Sequence, residues 1–131
     1  MKFKKVILLF TEETDQSIIE PAVQLCKKFK SRLFVLFVVE TGKISRLARL
    51  THQKVELLHR RIEETGWQLL YLTEDEAVQN GVWTSLHIEE GYVSNVLKKY
   101  IQGYGIDLVF IKKKDETKKI FVSCPVPVIG L

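Results

Sequence analysis

Lys4-Lys5-Val6-Ile7-Leu8-Leu9-Phe10-Thr11-Glu12-Glu13-Thr14-Asp15 is the stretch whose reading decides the fold. The apolar run from Val6 to Phe10 is too short for a helix and is flanked by polar residues, the pattern of a strand buried on both faces. The polar cluster after Phe10 leads into a helical pattern that opens near Asp15 to Ser17. A buried strand feeding a helix is the first half of a β-α-β unit. Ligands of open α/β sheets bind beyond the carboxyl ends of the strands. Thr11, Glu12, Glu13 and Asp15 are therefore the first candidate site residues.

Working outward, Ile18, Ile19, Ala22, Val23, Leu25, Cys26 and Phe29 recur at helical spacing. Ser17-Ile18-Ile19-Glu20 has the form of a capping box, and Pro21 is tolerable in a first helical turn. Leu33 to Val39 is apolar throughout and reads as a second interior strand. Ile44, Leu47, Leu50, Val55, Leu58 and Ile62 then continue to Asn80-Gly81 as one long amphipathic helix with a weak point at Gly66, or as two helices in series. Val82 to Ile88 alternates in polarity like an edge strand. Gly91 opens a further helix that ends at Gly103 and Gly105. Ile106 to Ile111 is a fourth strand and Val126 to Leu131 a fifth, placed at an edge because Pro125 and Pro127 cannot donate ladder bonds.

At 131 residues, 46% hydrophobic and 27% charged, the chain fits one globular domain spanning 1–131. No apolar run is long enough for a membrane span, and Met1 to Phe10 lacks the small-residue cleavage site of a signal peptide. Two cysteines make no disulfide framework, and Cys26 and Cys124 read as thiols in a reducing compartment, so a cytoplasmic location is expected. The net charge of +4 is only mildly basic. Its one dense cluster, Lys112-Lys113-Lys114 with Lys118-Lys119, has no interleaved aromatic or Arg residues, so nucleic-acid binding is not expected.

The succession of strands and helices describes an α/β sandwich. Along its whole length the chain resembles the universal stress protein family. The resemblance rests on Lys4-Lys5-Val6-Ile7-Leu8, on Leu36-Phe37-Val38-Val39-Glu40, on Glu89-Glu90-Gly91 opening a helix that leads to Ile106-Asp107-Leu108-Val109, and on the terminal Pro127-Val128-Ile129. It implies a doubly wound, Rossmann-like three-layer fold with a five-stranded, mainly parallel sheet of order 3-2-1-4-5. The crevice would lie between the first and fourth strands. Nucleotide-binding members of that family carry Asp where this chain has Thr11, and a Gly-x-x-Gly phosphate loop after the fourth strand. Here Lys112 and Asp115 stand at the glycine positions, and no Gly-Ser follows. Only eleven residues separate Lys112 from Cys124. Backbone N–H groups cradle phosphate where no Cβ blocks the approach, so ATP binding in the family's manner is not expected and no cofactor is assigned. The alternative is weak binding of an adenine nucleotide through an altered grip, with slow hydrolysis.

The candidate crevice comprises Thr11, Glu12, Glu13, Asp15, Val38, Lys112, Lys113 and Lys114. The lysines allow three readings: a solvated connection, a substitute phosphate site, or a network neutralising Glu12, Glu13 and Asp15 across the switch point. Residues 112–123 fit a parallel crossover or, alternatively, a hairpin pairing Leu108–Lys113 with Lys119–Ser123. His52, Glu56 and His59 share one helix face, but no second cluster supplies ligands, so a solvated face is expected there and at His87, with no metal. No nucleophile has an identifiable base, and an enzyme is not expected. The resemblance implies a homodimer through the last strand, at Val126, Val128 and Ile129. The function read from the sequence is that of a non-enzymatic, universal-stress-like protein acting through protein contacts, in stress response or regulation.

Overall fold

The apolar runs become the interior of a wholly parallel sheet. The computed structural model describes residues 3–113 and 123–131. Strands β1 (Lys5–Phe10), β2 (Arg32–Val39), β3 (Thr84–Glu90), β4 (Leu108–Ile111) and β5 (Val128–Gly130) lie in the order β3-β2-β1-β4-β5. Every neighbouring pair is parallel, with Val6 facing both Leu33 and Leu108. Helices α1 (Ile19–Phe29), α2 (Thr41–Thr51), α3 (Val55–Gln79) and α4 (Val93–Tyr104) make the connections from β1 through β4. Fold class and strand order are those expected from the sequence.

Side-chain alternation divides the core into two layers. Val6, Leu8 and Phe10, with Val35, Phe37 and Phe110, pack against α1 and α3 through Ala22, Val23, Cys26, Leu70 and Ala77. Ile7 and Leu9, with Leu36, Val38 and Val109, face Val96, Leu97, Tyr100 and Ile101 of α4. A one-residue slip of β1 would exchange these two sets, so the register is fixed from both sides. Asp107 adds a polar pin. Its Oδ2 accepts from the backbone N–H groups of Lys4 and Lys5, each at 3.0 Å, and ties the entry of β1 to β4.

Two local expectations need correction. Ser17-Ile18-Ile19-Glu20 is not a capping box. A 3-10 turn (Gln16–Ile18) precedes α1, and Asp15 caps it by accepting from Ser17 N at 2.9 Å. Pro21 still falls in the first turn of α1. Gly66 is not a weak point: α3 runs through it unbroken. A Cβ there would stand 2.7 Å from Phe37 Cδ1, so the missing side chain lets α3 lie close on β2. The break comes instead between α2 and α3, where His52 takes a left-handed conformation at φ 54° and caps α2 through Ala48 O.

The fifth strand is shorter than expected, beginning after Pro127, and it pairs parallel to β4 through Val109 and Val128. The arm of the hairpin alternative at 119–122, like Lys114, Lys118 and Lys119, lies outside the described residues. No described helix is long and apolar enough to cross a membrane.

Candidate functional site

Because all five strands are parallel, their carboxyl ends share one edge of the sheet. Thr11 to Glu13 follow β1, Glu40 follows β2, Glu90 ends β3, and Lys112 and Lys113 follow β4. The chain turns sharply after β1: Thr14 N donates to Thr11 O at 3.0 Å. Thr11 N donates to Thr14 Oγ1 at 3.1 Å, and Glu13 N donates to Thr11 Oγ1 at 3.3 Å. The Thr11 hydroxyl thus serves its own turn, as short polar side chains commonly do.

The turn sends Glu12 toward β2 rather than toward the lysines. Lys43, in the first turn of α2, sits 2.7 Å from Glu40 Oε2. That bond holds the Lys43 ammonium above its ordinary pKa, against some desolvation, with Glu13 and Glu12 adding to it. Burial is the main cause that raises the Glu12 carboxyl above the ordinary range. Its own backbone N–H and Lys43 oppose the rise, and Glu40 and Glu13 add to it. Glu12 Oε2 is buried with no hydrogen-bond partner among the described residues.

Lys112 lies on the other side of β1. Its Nζ donates to Ser17 Oγ at 2.7 Å and stands 4.0 Å from Asp15 Oδ1, at the start of the first helical segment. Of the suspected neutralising network, the Asp15–Lys112 contact is present, whereas Glu12 sits in a second group with Glu40 and Lys43. Lys113 is exposed, and its backbone N–H donates to Leu131 O beside β5. Val38 is fully buried against α4. Beyond Asp15, an open groove of about 480 Å³ runs between the start of α1 and α3, lined by Asp15, Ser17, Glu20, Leu72 and Glu76.

The edge of β3 also departs from the sequence reading. His52 leaves the face shared by Glu56 and His59, because it caps α2. His59 instead reaches the end of β3: Nε2 lies 2.6 Å from Glu90 Oε1, and Nδ1 4.0 Å from Glu63 Oε2. The i,i+4 spacing of His59 and Glu63 was readable in the sequence, but the meeting with Glu90 depends on how α3 crosses the sheet. His87 is half-buried rather than fully solvated. It stacks on Phe34, meets the rings of Tyr100 and Tyr104, and lies 2.7 Å from Ser85 Oγ. Burial lowers its pKa, with Glu89 opposing. Burial and the hydrogen bond to Glu89 raise that of Tyr100.

Val126 and Val128 pack on the α4 layer and Ile129 on the opposite layer, all three half-buried. Among the described residues β5 pairs with β4 alone. Cys26 and Cys124 are free thiols.

No family model and no curated protein matches the sequence. Solved structures do. A universal stress protein family member from Burkholderia pseudomallei matches with a TM-score of 0.79 and 14% identity, over 98% of this chain and 96% of that one. A universal stress protein from Lactobacillus plantarum matches at 0.71 and 12% identity, over 100% and 99%. A family member from Arabidopsis thaliana with AMP bound matches at 0.62 and 13% identity, over 98% and 90%. The fold is thus that of universal stress proteins over the full chain, as the sequence resemblance implied.

Proposed function

We propose that this chain is a universal-stress-type protein that has given up nucleotide binding and acts without catalysis, through protein contacts. The observation that carries the reading is the acidic group at the ends of β1 and β2. Glu12, Glu13 and Glu40 gather around one ammonium, Lys43, and Glu12 is already partly desolvated. Two unit charges about 6 Å apart repel by roughly 3 kcal/mol at an effective dielectric of about 20. Two such contacts offset most of the roughly 8 kcal/mol that holds a micromolar complex. Lys112, the nearest cation at the end of β4, is already engaged by Ser17 and Asp15.

Contact surfaces remain for a partner. Trp67, Tyr71 and Val78 form an exposed stripe on α3, with Trp67 stacked on Tyr71. The side of β5 away from β4, at Val128 and Ile129 with Val126 just before the strand, suits pairing with a second copy. A homodimer in a reducing cytoplasm, where Cys26 stays a thiol, is consistent with both.

A second reading keeps an adenine nucleotide on an altered grip, with Lys112 and Lys113 replacing glycine amides. The AMP bound in the similar Arabidopsis structure favours it. Melting the protein with and without Mg-ATP separates the two. A ligand at a hundred times its dissociation constant stabilises by about 2.7 kcal/mol. We expect no shift at millimolar Mg-ATP; a rise of several degrees overturns the proposal.

A further inference from the structure

Away from the crevice, three metal-ligating side chains from two elements meet where the edge strand ends. His59 and Glu63 stand one turn apart on α3, which places them on one helix face. Glu90 is the last residue of β3. One donor atom from each lies within 4.8 Å of the other two. We propose that His59, Glu63 and Glu90 form a binding site for a first-row divalent cation of the zinc type.

The donor set selects the metal class. An imidazole nitrogen beside two carboxylates suits zinc and its neighbours, whereas calcium and magnesium take all-oxygen sites. Donors on one zinc, at about 2.0–2.1 Å from it, stand roughly 3.3 Å apart at tetrahedral angles. The 2.6 Å His59–Glu90 contact therefore has to open by under an ångström, and Glu63 has to swing inward. The side chains allow this: those of Glu63 and Glu90 are 42% and 53% exposed, while the His59 ring, at 25%, is held more firmly.

The present contact shows how the exchange would run. His59 Nε2 and Glu90 Oε1 now face each other at 2.6 Å, and the cation would take the place between them. Two carboxylates outweigh one imidazole in the charge of the cluster, which draws a cation in. Three protein ligands leave the fourth position of a tetrahedral zinc for water.

The test uses the whole chain, stripped with a chelator and titrated with zinc chloride by calorimetry and by thermal melting. The wild type should bind one zinc per chain saturably, with a rise in melting temperature. His59→Ala and Glu90→Gln should each weaken that binding at least tenfold and abolish the rise. His52→Asn, which retains a residue suited to the left-handed cap, should bind as the wild type does. The proposal is overturned if the wild type shows no saturable binding or if His59→Ala binds equally well. It also falls if binding is lost in His52→Asn, or if the His59 and Glu90 variants lose the same stability with and without zinc. That last result is the behaviour of an ion pair alone.

Discussion

Replacing Gly66 by alanine tests the closest approach between a helix and the sheet. In a solvated helix interior this substitution stabilises by about 1 kcal/mol, because glycine has more backbone freedom to lose. Here the new methyl would meet Cδ1, Cε1 and Cγ of Phe37 at 2.7–2.9 Å. The Phe37 ring is 0% exposed and belongs to the main core layer, so it has no free space to rotate into. Overpacking of this kind costs about 1–3 kcal/mol, which outweighs the propensity gain. Gly66→Ala should therefore destabilise the protein by about 1 kcal/mol. Urea unfolding reads this directly: at a slope near 2 kcal/mol per molar, the midpoint falls by about 0.5 M. Phe37→Ala removes these three ring atoms, at a cost of about 3–5 kcal/mol. In that background Gly66→Ala should become stabilising, giving a coupling of about 2 kcal/mol across the double-mutant cycle. A raised midpoint for Gly66→Ala in the wild-type background, or additivity within about 0.5 kcal/mol, refutes the reasoning.

Two further substitutions address the ends of β1. The Glu12 carboxyl is raised above its unfolded value, chiefly by burial, so the folded state holds that proton more tightly. The stabilisation is complete below the unfolded pKa and is lost as pH rises through the folded one. Glu12→Gln should match the wild type near pH ~4 and exceed it near pH ~7; denaturant midpoints across that range measure the difference, and a pH-independent gap contradicts it. Asp107→Ala removes the acceptor of two backbone N–H groups and should cost about 1–2 kcal/mol, read as a drop of several degrees in melting temperature. Asp107→Asn, whose amide oxygen can take the place of Oδ2, should lose less than half as much.

The parts legible in the sequence were those where one physical requirement dominates. Val6 to Phe10, Leu33 to Val39 and Leu108 to Ile111 are buried on both faces, and uninterrupted apolar residues record that directly. The alternation around Leu86 to Ile88 placed β3 at an edge, where Leu86 and Ile88 reach the core and His87 faces α4. Gly66 misled because a glycine that breaks a helix and one that lets a helix approach a sheet look identical in one chain. His52 gave no warning of the break after α2, since a left-handed histidine has no compositional mark. Asp15 won the cap from Ser17 because the added 3-10 turn moved the start of the helical segment upstream. At the edge that carries the site, the residue types were visible, but their partners were not. Glu12 with Lys43, and His59 with Glu90, are set by the tight turn after Phe10 and by the path of α3.

One electrostatic circumstance joins the two functional readings without making either depend on the other. A parallel sheet sends every strand end to the same edge, so the charges following β1, β2 and β3 accumulate there. In this chain they are Glu12, Glu13, Glu40, Glu89 and Glu90, set against Lys43 in the first turn of α2 and Lys112 and Lys113 at the end of β4. Such an edge disfavours a polyphosphate at the end of β1 and favours a cation at the end of β3. The first effect requires only repulsion across an open crevice, which added salt weakens. The second requires three donors converging on one ion, and exchanging a single residue, His59, removes it. Nucleotide binding by the wild type would therefore remove the first reading and leave the second intact, and failure to bind zinc would do the reverse.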